Sequence, residues 1–517
     1  MNAFAIFAAA LAATPPLVAL VPLLPLLAAL AIAFRLLRGH GEAQEAVTAG
    51  VATAAALGAL LLLLVLDLAA LVREAAAVTI LDDWLHIGAV PVRLSFILDA
   101  YSLPIATLVA LIAWIALRFS ATYLHRERGF GRFFLGMCLF LAGMLLIVLA
   151  GNAVLAFVGW ELAGFSSWLL IGYAWERPVA TGNALFVFLT NRIGDAGFLL
   201  GIGLATWSAS TVEWTGLAEQ AGNGSLTTVT LRLLLIGFTV AALTKSAQLP
   251  FSPWIARALE GPTPSSAVFY GSLLVHAGVY LLCRLQGALV QVPDLMTLLA
   301  VLGLATACYG GLCALVQSDV KSALIFATVA QVGLMVLFCG LGLFWLAALH
   351  LGLHAAWRAY QFLLAPAYMH LVHGPAKPVP HWLARRRWWY TAALQRFWIE
   401  PLTHGLLTRP TLLLGRDARA LDERFIDPLV GAPRPDEAGG DEWATDELIR
   451  GHGLAGRALF AFADRLQILE SRLLLSGDGA LMKHLQRLVN YADAVEQLLE
   501  QPRYLMLMVM ATLVVIL

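Results

Sequence analysis

Leu243-Thr244-Lys245-Ser246-Ala247-Gln248-Leu249-Pro250-Phe251-Ser252-Pro253 decides the fold. It closes an apolar run that opens near residue 230, sets one lysine inside it, and then stops the helix with two prolines. Proline has no backbone donor and breaks the helical ladder. Within a bilayer the freed carbonyls must be met by protein or by water. An ammonium at that depth costs several kcal/mol unless paired or hydrated. A broken helix, at Pro250 and Pro253, beside a charge within the membrane points to a transported ion.

The rest of the chain agrees with a membrane reading. Of 517 residues, 60 % are hydrophobic and 13 % charged, with 33 basic side chains balancing 33 acidic ones. Charge at about half the usual globular share excludes a water-soluble enzyme. Zero net charge argues against a polybasic nucleic-acid binder. Residues 1–372 hold 16 basic and 16 acidic residues, whereas 373–503 hold 17 of each. The first part therefore reads as membrane helices and the second as mostly water-facing. The five cysteines, Cys138, Cys283, Cys308, Cys313 and Cys339, lie in apolar runs without Cys-x-x-Cys spacing. They read as buried packing residues, so no metal site and no cofactor is expected in this chain. Neither a Walker loop nor a dinucleotide fingerprint is present in the sequence.

At about 20 apolar residues per crossing, spans are expected near 15–37, 47–72, 94–118, 132–150, 153–175, 182–207, 230–250, 263–286, 295–316, 322–343 and 345–372. A shorter twelfth run covers 504–517. The opening run has no basic start, so it reads as a span rather than a signal peptide. The expected fold class is an all-α polytopic membrane bundle of about 12 spans. Its expected divisions are 1–93 (first helices and an external loop), 94–372 (ion-conducting core), 373–503 (interfacial arm) and 504–517. Alternate loops carry the arginines, including Arg118, Arg126, Arg128 and Arg132 in one loop and Arg385, Arg386 and Arg387 in another. The positive-inside rule then puts the N-terminus outside and 373–503 in the cytoplasm.

Charges inside the spans are the candidate site. Glu161 sits deep in span five and Lys245 in span seven. His350, His354 and Arg358 recur every fourth residue and share one helix face. Tyr270 and His276 line span eight, and Asn191, Arg192 and Asp195 open span six. A packing histidine, an amphipathic ring and an interfacial ion pair are the plain alternatives for His276, for Tyr270 and for Arg192 with Asp195. Carboxylate, amine and imidazole can each carry a proton, and coupled groups titrate as a unit. Arginine stays protonated and can only tune the field.

Phe157-Val158-Gly159-Trp160-Glu161-Leu162, Asn191-Arg192-Ile193-Gly194-Asp195, Lys245–Pro250, Glu260–Ser265, Ala277–Tyr280, Ala314–Lys321 and His350–His354 resemble the antiporter-like subunits of respiratory complex I and of multisubunit cation/proton antiporters. The resemblance runs over roughly 90–372. It implies two inverted five-helix repeats, Glu161 and Lys245 as the paired acid and base of one half-channel, and His350 and His354 in the central relay. His276 and Tyr270 join the implied proton path, and Arg192, Asp195, Arg358, Asp319 and Lys321 tune charge along it. Three departures stand out. Tyr270 replaces a usual histidine, Arg358 replaces a usual lysine, and the second broken helix with its lysine is not visible after residue 372. These departures look most like the DabB-type subunits of bacterial inorganic-carbon complexes. That likeness implies a bacterial inner-membrane protein with a large DabA-like zinc subunit as cytoplasmic partner, protons and lipids as its other contacts, and no nucleic acid. The alternative is a pumping subunit of a complex I-type oxidoreductase or a multisubunit antiporter.

Residues 385–503 alternate basic and apolar positions, with Leu466, Leu469, Leu473 and Leu474 at helical spacing. Amphipathic helices are expected there, with Arg385–Trp389 and Trp398 suited to the headgroup layer. The segment 431–446 reads as an irregular loop.

Overall fold

The computed structural model describes residues 16–39, 44–73, 77–371 and 378–421, with single residues 424 and 465. Residues up to Leu407 form one unit and those from Thr408 a second.

The first unit opens with α1 (Pro16–Leu37) and α2 (Glu45–Arg73), both apolar over a full bilayer crossing. A β-hairpin follows, β1 (Ala77–Ile87) paired antiparallel with β2 (Val90–Leu98). This hairpin departs from the all-α expectation, which left 73–93 as an external loop. Ile87 pairs with Val90 across a two-residue turn, where Gly88 takes φ +62°. Glycine is suited to that conformation, and tight hairpins need it. The apolar residues Val92, Phe96 and Ile97 of β2 run directly into the next helix. The expected third span accordingly started at 94, whereas α3 is Ser102–Tyr123. The Asp99 carboxylate accepts from the Tyr101 and Ser102 amides at the start of α3.

Next come α4 (Phe130–Leu149), α5 (Ala153–Ile171), α6 (Pro178–Leu204), the short α7 (Trp214–Gly222) and α8 (Thr228–Lys245). α4 is almost wholly enclosed, with 89 % of its apolar window buried in protein. It meets α5 backbone to backbone. A Cβ on Gly143 would lie 2.7 Å from the Gly159 carbonyl oxygen, and one on Gly159 2.5 Å from that of Gly143. Small residues permit such approaches where no water drives helices together.

The chain breaks after α8, as the prolines predict. Ala247 takes φ +51°, and Pro253 opens the short α9 (Pro253–Arg257) at its first turn. Freed backbone groups find partners. The Thr244 carbonyl accepts from Trp254 Nε1 at 2.9 Å, and the Leu249 amide donates to Thr306 Oγ1 at 3.2 Å. The crossing Thr263–Arg284 is broken as well, although it was expected as one continuous span. It runs as α10 (Thr263–Ser266), a π-helical turn (Ala267–Ser272), a 3₁₀ turn (Leu274–His276) and α11 (Ala277–Arg284). Such wide turns inside helices concentrate at functional sites.

After α12 (Gln286–Leu289), the helices α13 (Pro293–Ala314), α14 (Val320–Gly340) and α15 (Phe344–Leu371) complete the bundle. Ten of the described helical segments are long and apolar enough to cross a membrane. With its histidines and Arg358, α15 is an eleventh long helix of 28 residues. Four cysteines are buried as expected; Cys308 instead faces outward from α13.

Beyond α15 the described helices are short: α16 (His381–Ala384), α17 (Arg387–Leu394) and α18 (Ile399–Thr403). Leu383 and Ala393 are fully buried with Val316, and Trp382, Trp388, Trp389 and Trp398 remain exposed. In the second unit α19 (Arg409–Leu421) is an amphipathic helix. Apart from residue 465, the expected amphipathic stretch 457–475, the loop 431–446 and the run 504–517 lie outside the described residues.

Candidate functional site

α5, α6 and α8 each contribute charge to one buried cluster. α5 carries Glu161, α6 carries Arg192 and Asp195, and α8 ends on Lys245. Arg192 Nη1 lies 2.6 Å from Glu161 Oε2, and its Nη2 lies 2.9 Å from Asp195 Oδ2. Asp195 Oδ1 accepts from Trp160 Nε1 at 2.8 Å. Two carboxylates face two cations, so the cluster is formally neutral. That balance is what makes four ionisable groups tolerable at this depth.

Glu161 and Lys245, the implied acid and base, both belong to this cluster, but no ion pair joins them directly. Arg192 occupies the carboxylate instead, and the Lys245 ammonium has no hydrogen-bond partner among the described residues. Lys245 is 1 % exposed, and its Nζ lies 5.1 Å from the centroid of the Trp160 ring. Gly164 provides the room. A Cβ there would meet Lys245 Nζ at 3.1 Å and Arg192 Nη2 at 3.6 Å. The interfacial position expected for Arg192 and Asp195 is also corrected. α6 begins at Pro178, so both sit several turns inside it, and Asp195 is 3 % exposed.

A second group lies where α11 and α15 meet. His276 Nε2 is 3.0 Å from His354 Nδ1, and Arg358 Nε donates to His354 Nε2 at 3.2 Å. Arg358 Nη1 donates to Gln361 Oε1 at 2.8 Å. The His350 ring stands 6.0 Å from that of His354, and its Nε2 meets Gln331 Oε1 at 2.9 Å. His276 thus joins the row on α15, a contact that no spacing within one helix could reveal. Gln331 belongs to it too and carried no signal beyond being a polar residue in an apolar helix.

The remaining candidates fall elsewhere. Tyr270 lies in the π-helical turn, its side chain outside the described residues. Asp319 caps α14, its Oδ2 accepting from the Ser322 amide at 2.8 Å. Lys321 Nζ donates to Thr263 Oγ1 at 2.6 Å, at the start of α10. Neither belongs to the charged cluster or to the histidine row. Among the described residues no group of three or more His, Cys, Asp or Glu is placed to hold a metal ion.

Comparison with known proteins bears on this geometry. Residues 150–375 match the family described as NADH:quinone oxidoreductase/Mrp antiporter, membrane region, and residues 84–134 match the N-terminus of complex I chain 5. NAD(P)H-quinone oxidoreductase subunit 5 of the Nephroselmis olivacea chloroplast is 33 % identical over 325 residues, 61 % of this chain and 50 % of that protein. NADH-ubiquinone oxidoreductase chain 5 of Felis catus is 34 % identical over 307 residues, 57 % of this chain and 50 % of that one. The chain spans about half the length of these relatives. A chain in the solved structure of the Mrp complex from Dietzia sp. superposes with a TM-score of 0.55 at 28 % identity, covering 69 % of this chain and 37 % of that one. The charged cluster and the histidine row both fall within residues 150–375.

Proposed function

We propose that this chain, whose residues 150–375 belong to the antiporter-like membrane family of complex I and Mrp subunits, carries protons across a membrane as one subunit of a larger complex. The observation that carries the reading is the Lys245 ammonium, buried and without a hydrogen-bond partner among the described residues beside a carboxylate held by another cation. No packing role calls for a full charge in such a place.

The chemistry follows from the arrangement. An ammonium moving toward Glu161 would favour the carboxylate, and one moving away would let it take a proton. Arg192 divides its fork between Glu161 and Asp195, so it can shift its weight from one carboxylate to the other without leaving the cluster. A proton released there would continue toward His276, His354 and His350. Vesicles reconstituted with the chain and its co-purifying partner chains, under an imposed pH gradient, test this. Wild-type protein conducts protons, Lys245→Met does not, and equal conduction by both would overturn the proposal.

We further infer that proton flow serves inorganic-carbon accumulation by a DabA-like zinc partner on the cytoplasmic side of a bacterial inner membrane. Zinc would sit in that partner. Support comes from Tyr270, from Arg358 at one end of the histidine row, and from the amphipathic arm α16–α18 that follows α15. The similarity to subunit 5 proteins favours a second reading, a pumping subunit of a complex I-type oxidoreductase or a multisubunit antiporter. Affinity purification from the native membrane separates the two. A large zinc-bearing chain supports the first, and quinone- and iron–sulfur-bearing chains support the second.

A further inference from the structure

We propose that Arg358 is a positioning residue that fixes His354 as its Nδ1–H tautomer, so that the His354–His276 bond points one way and the histidine row is shut at Arg358. The gating half of this rests on the reading of the histidines as proton carriers; the tautomer half does not.

The assignment follows from donor arithmetic. A guanidinium has five N–H donors and no acceptor. Its Nε–H points at His354 Nε2 at 3.2 Å, so that ring nitrogen must offer its lone pair. An imidazole with a free lone pair on Nε2 is neutral and carries its hydrogen on Nδ1. His354 Nδ1–H therefore donates to His276 Nε2 at 3.0 Å. His276 Nε2 is then an acceptor, which puts the hydrogen of that ring on Nδ1. One obligate donor thus sets the state of two rings.

The consequence is a closed gate. For a proton to pass from His354 to His276, His354 must give up its Nδ1 hydrogen and take another on Nε2. The group facing Nε2 is Arg358, which does not release protons. In the opposite sense, His276 has no hydrogen on the nitrogen that faces His354. Passage in either direction needs Arg358 to swing off Nε2. Arg358 has somewhere to go, since its Nη1 already donates to Gln361 Oε1 one turn away. His350, its ring 6.0 Å from that of His354, is the neighbour toward which a released His354 can turn. A lysine in place of Arg358 would also donate, but could lose its proton to the ring. Arginine cannot, and this makes the contact a lock.

The test uses full-length protein in liposomes with ¹⁵N-labelled histidine, the His354 signal being assigned by its loss in His354→Gln. Solid-state NMR shifts distinguish Nδ1–H, Nε2–H and the cation. Wild-type His354 should be neutral and Nδ1-protonated. Arg358→Met should convert part of the signal to the Nε2–H form, and Arg358→Gln, which retains an N–H donor, should restore the wild-type form. Proton leak through Arg358→Met should rise at least tenfold over wild type measured without any partner chain. A cationic or Nε2–H wild-type His354, or a tautomer unchanged in Arg358→Met, overturns the proposal. A shifted tautomer with unchanged leak overturns the gate. If wild type and Lys245→Met are equally proton-tight with and without partner chains, the proton-carrier reading fails, while the NMR shifts still decide the Arg358 contact.

Discussion

The ammonium of Lys245 lies 5.1 Å from the centroid of the Trp160 ring, so the aromatic face one residue before Glu161 carries the cation that the carboxylate does not hold directly. Such a contact contributes about 2 kcal/mol when desolvated, less than a full ion pair inside a protein. Lys245 is thereby held but not trapped. Lys245→Met should lower proton flux at least about tenfold, equivalent to about 1.4 kcal/mol of barrier. It should lower thermal stability less than loss of Arg192 does, because the cluster loses one cation but no hydrogen-bonded partner is orphaned. Trp160→Leu should cost more stability than Lys245→Met, since the indole also donates to Asp195. Flux assays and melting curves on the same preparations check both.

Arg192 is the opposite case. Removing it leaves Glu161 and Asp195 facing each other without the guanidinium between them. Breaking a buried pair costs about 3–5 kcal/mol. The Arg192 side chain is 34 % exposed, so the expected loss for Arg192→Gln sits at the low end, about 3 kcal/mol. Arg192→Lys keeps the charge but not the planar fork, so it should hold one carboxylate and recover only part of the loss. A double variant with Asp195→Asn should recover stability by removing one of the two carboxylates. Denaturation of the purified variants in detergent measures each step.

Glu161, Lys245 and the α15 row were legible because an ionised or polar residue in an apolar run has few excuses. The break at Pro250 and Pro253 was legible because proline acts on its own backbone. What sequence reading missed depends on partners distant in the chain. The expected span six, 182–207, begins four residues after the helix does and puts Arg192 and Asp195 in its opening turns. In the fold Pro178 opens that helix and carries both residues several turns inside it. The hairpin was lost because the alternation of β1 is interrupted by bulges between Ile80, Asp83 and Leu85. The apolar end of β2 then merged with α3. Arg192, rather than Lys245, holds Glu161 because two helices cross at a particular height, which no local pattern encodes.

Gly164 offers a substitution aimed at space rather than charge. A methyl group there would stand 3.1 Å from Lys245 Nζ and would meet no backbone atom within 4 Å. Gly164→Ala should therefore fold with nearly wild-type stability, while pushing the ammonium off its position and reducing flux severalfold. Gly159→Ala is the contrasting control. Its methyl would press 2.5 Å from the Gly143 carbonyl and force α4 from α5. Overpacking of this kind costs about 1–3 kcal/mol or more. Comparing flux per folded molecule for the two variants separates loss of the path from loss of the fold.

Asp99 and Arg284 form the outer counterpart of this economy. Arg284 Nη2 donates to both carboxylate oxygens at 2.8 and 2.7 Å. Burial by itself would raise the pKa of Asp99, but the Arg284 charge and the Ser102 and Tyr101 amides outweigh it and hold the carboxyl below its ordinary value. With a folded pKa below the unfolded value of about 3.9, the unfolded chain binds the proton first as pH falls. The contribution is complete above about pH 4 and is lost as pH falls through the folded pKa. Melting temperature should thus fall below about pH 4 in wild type. Asp99→Asn should be less stable at neutral pH, because Arg284, 6 % exposed, loses its countercharge, and this part of the acid dependence should vanish.

The arm that follows α15 is tied to the broken helix itself. Thr403 Oγ1 donates to the Pro250 carbonyl at 3.0 Å, meeting an oxygen freed by the break. Arg257, at the end of α9, donates through Nε to Glu400 Oε1 at 3.1 Å and lies 4.2 Å from the centroid of the Phe186 ring. Both partners of this ion pair are about one-third exposed, so Glu400→Gln should cost no more than about 1 kcal/mol. Thr403→Val is nearly isosteric and removes the donor; losing a hydrogen bond of this kind costs about 0.5–1.5 kcal/mol. The effect on transport should exceed what that loss implies, because Pro250 stands five residues from Lys245 and the freed loop can carry the end of α8 with it. The check is proton flux normalised to folded protein. Thr403→Val should reduce it at least about threefold and Glu400→Gln little, whereas equal flux in all three proteins would mean that the arm only rests on the break.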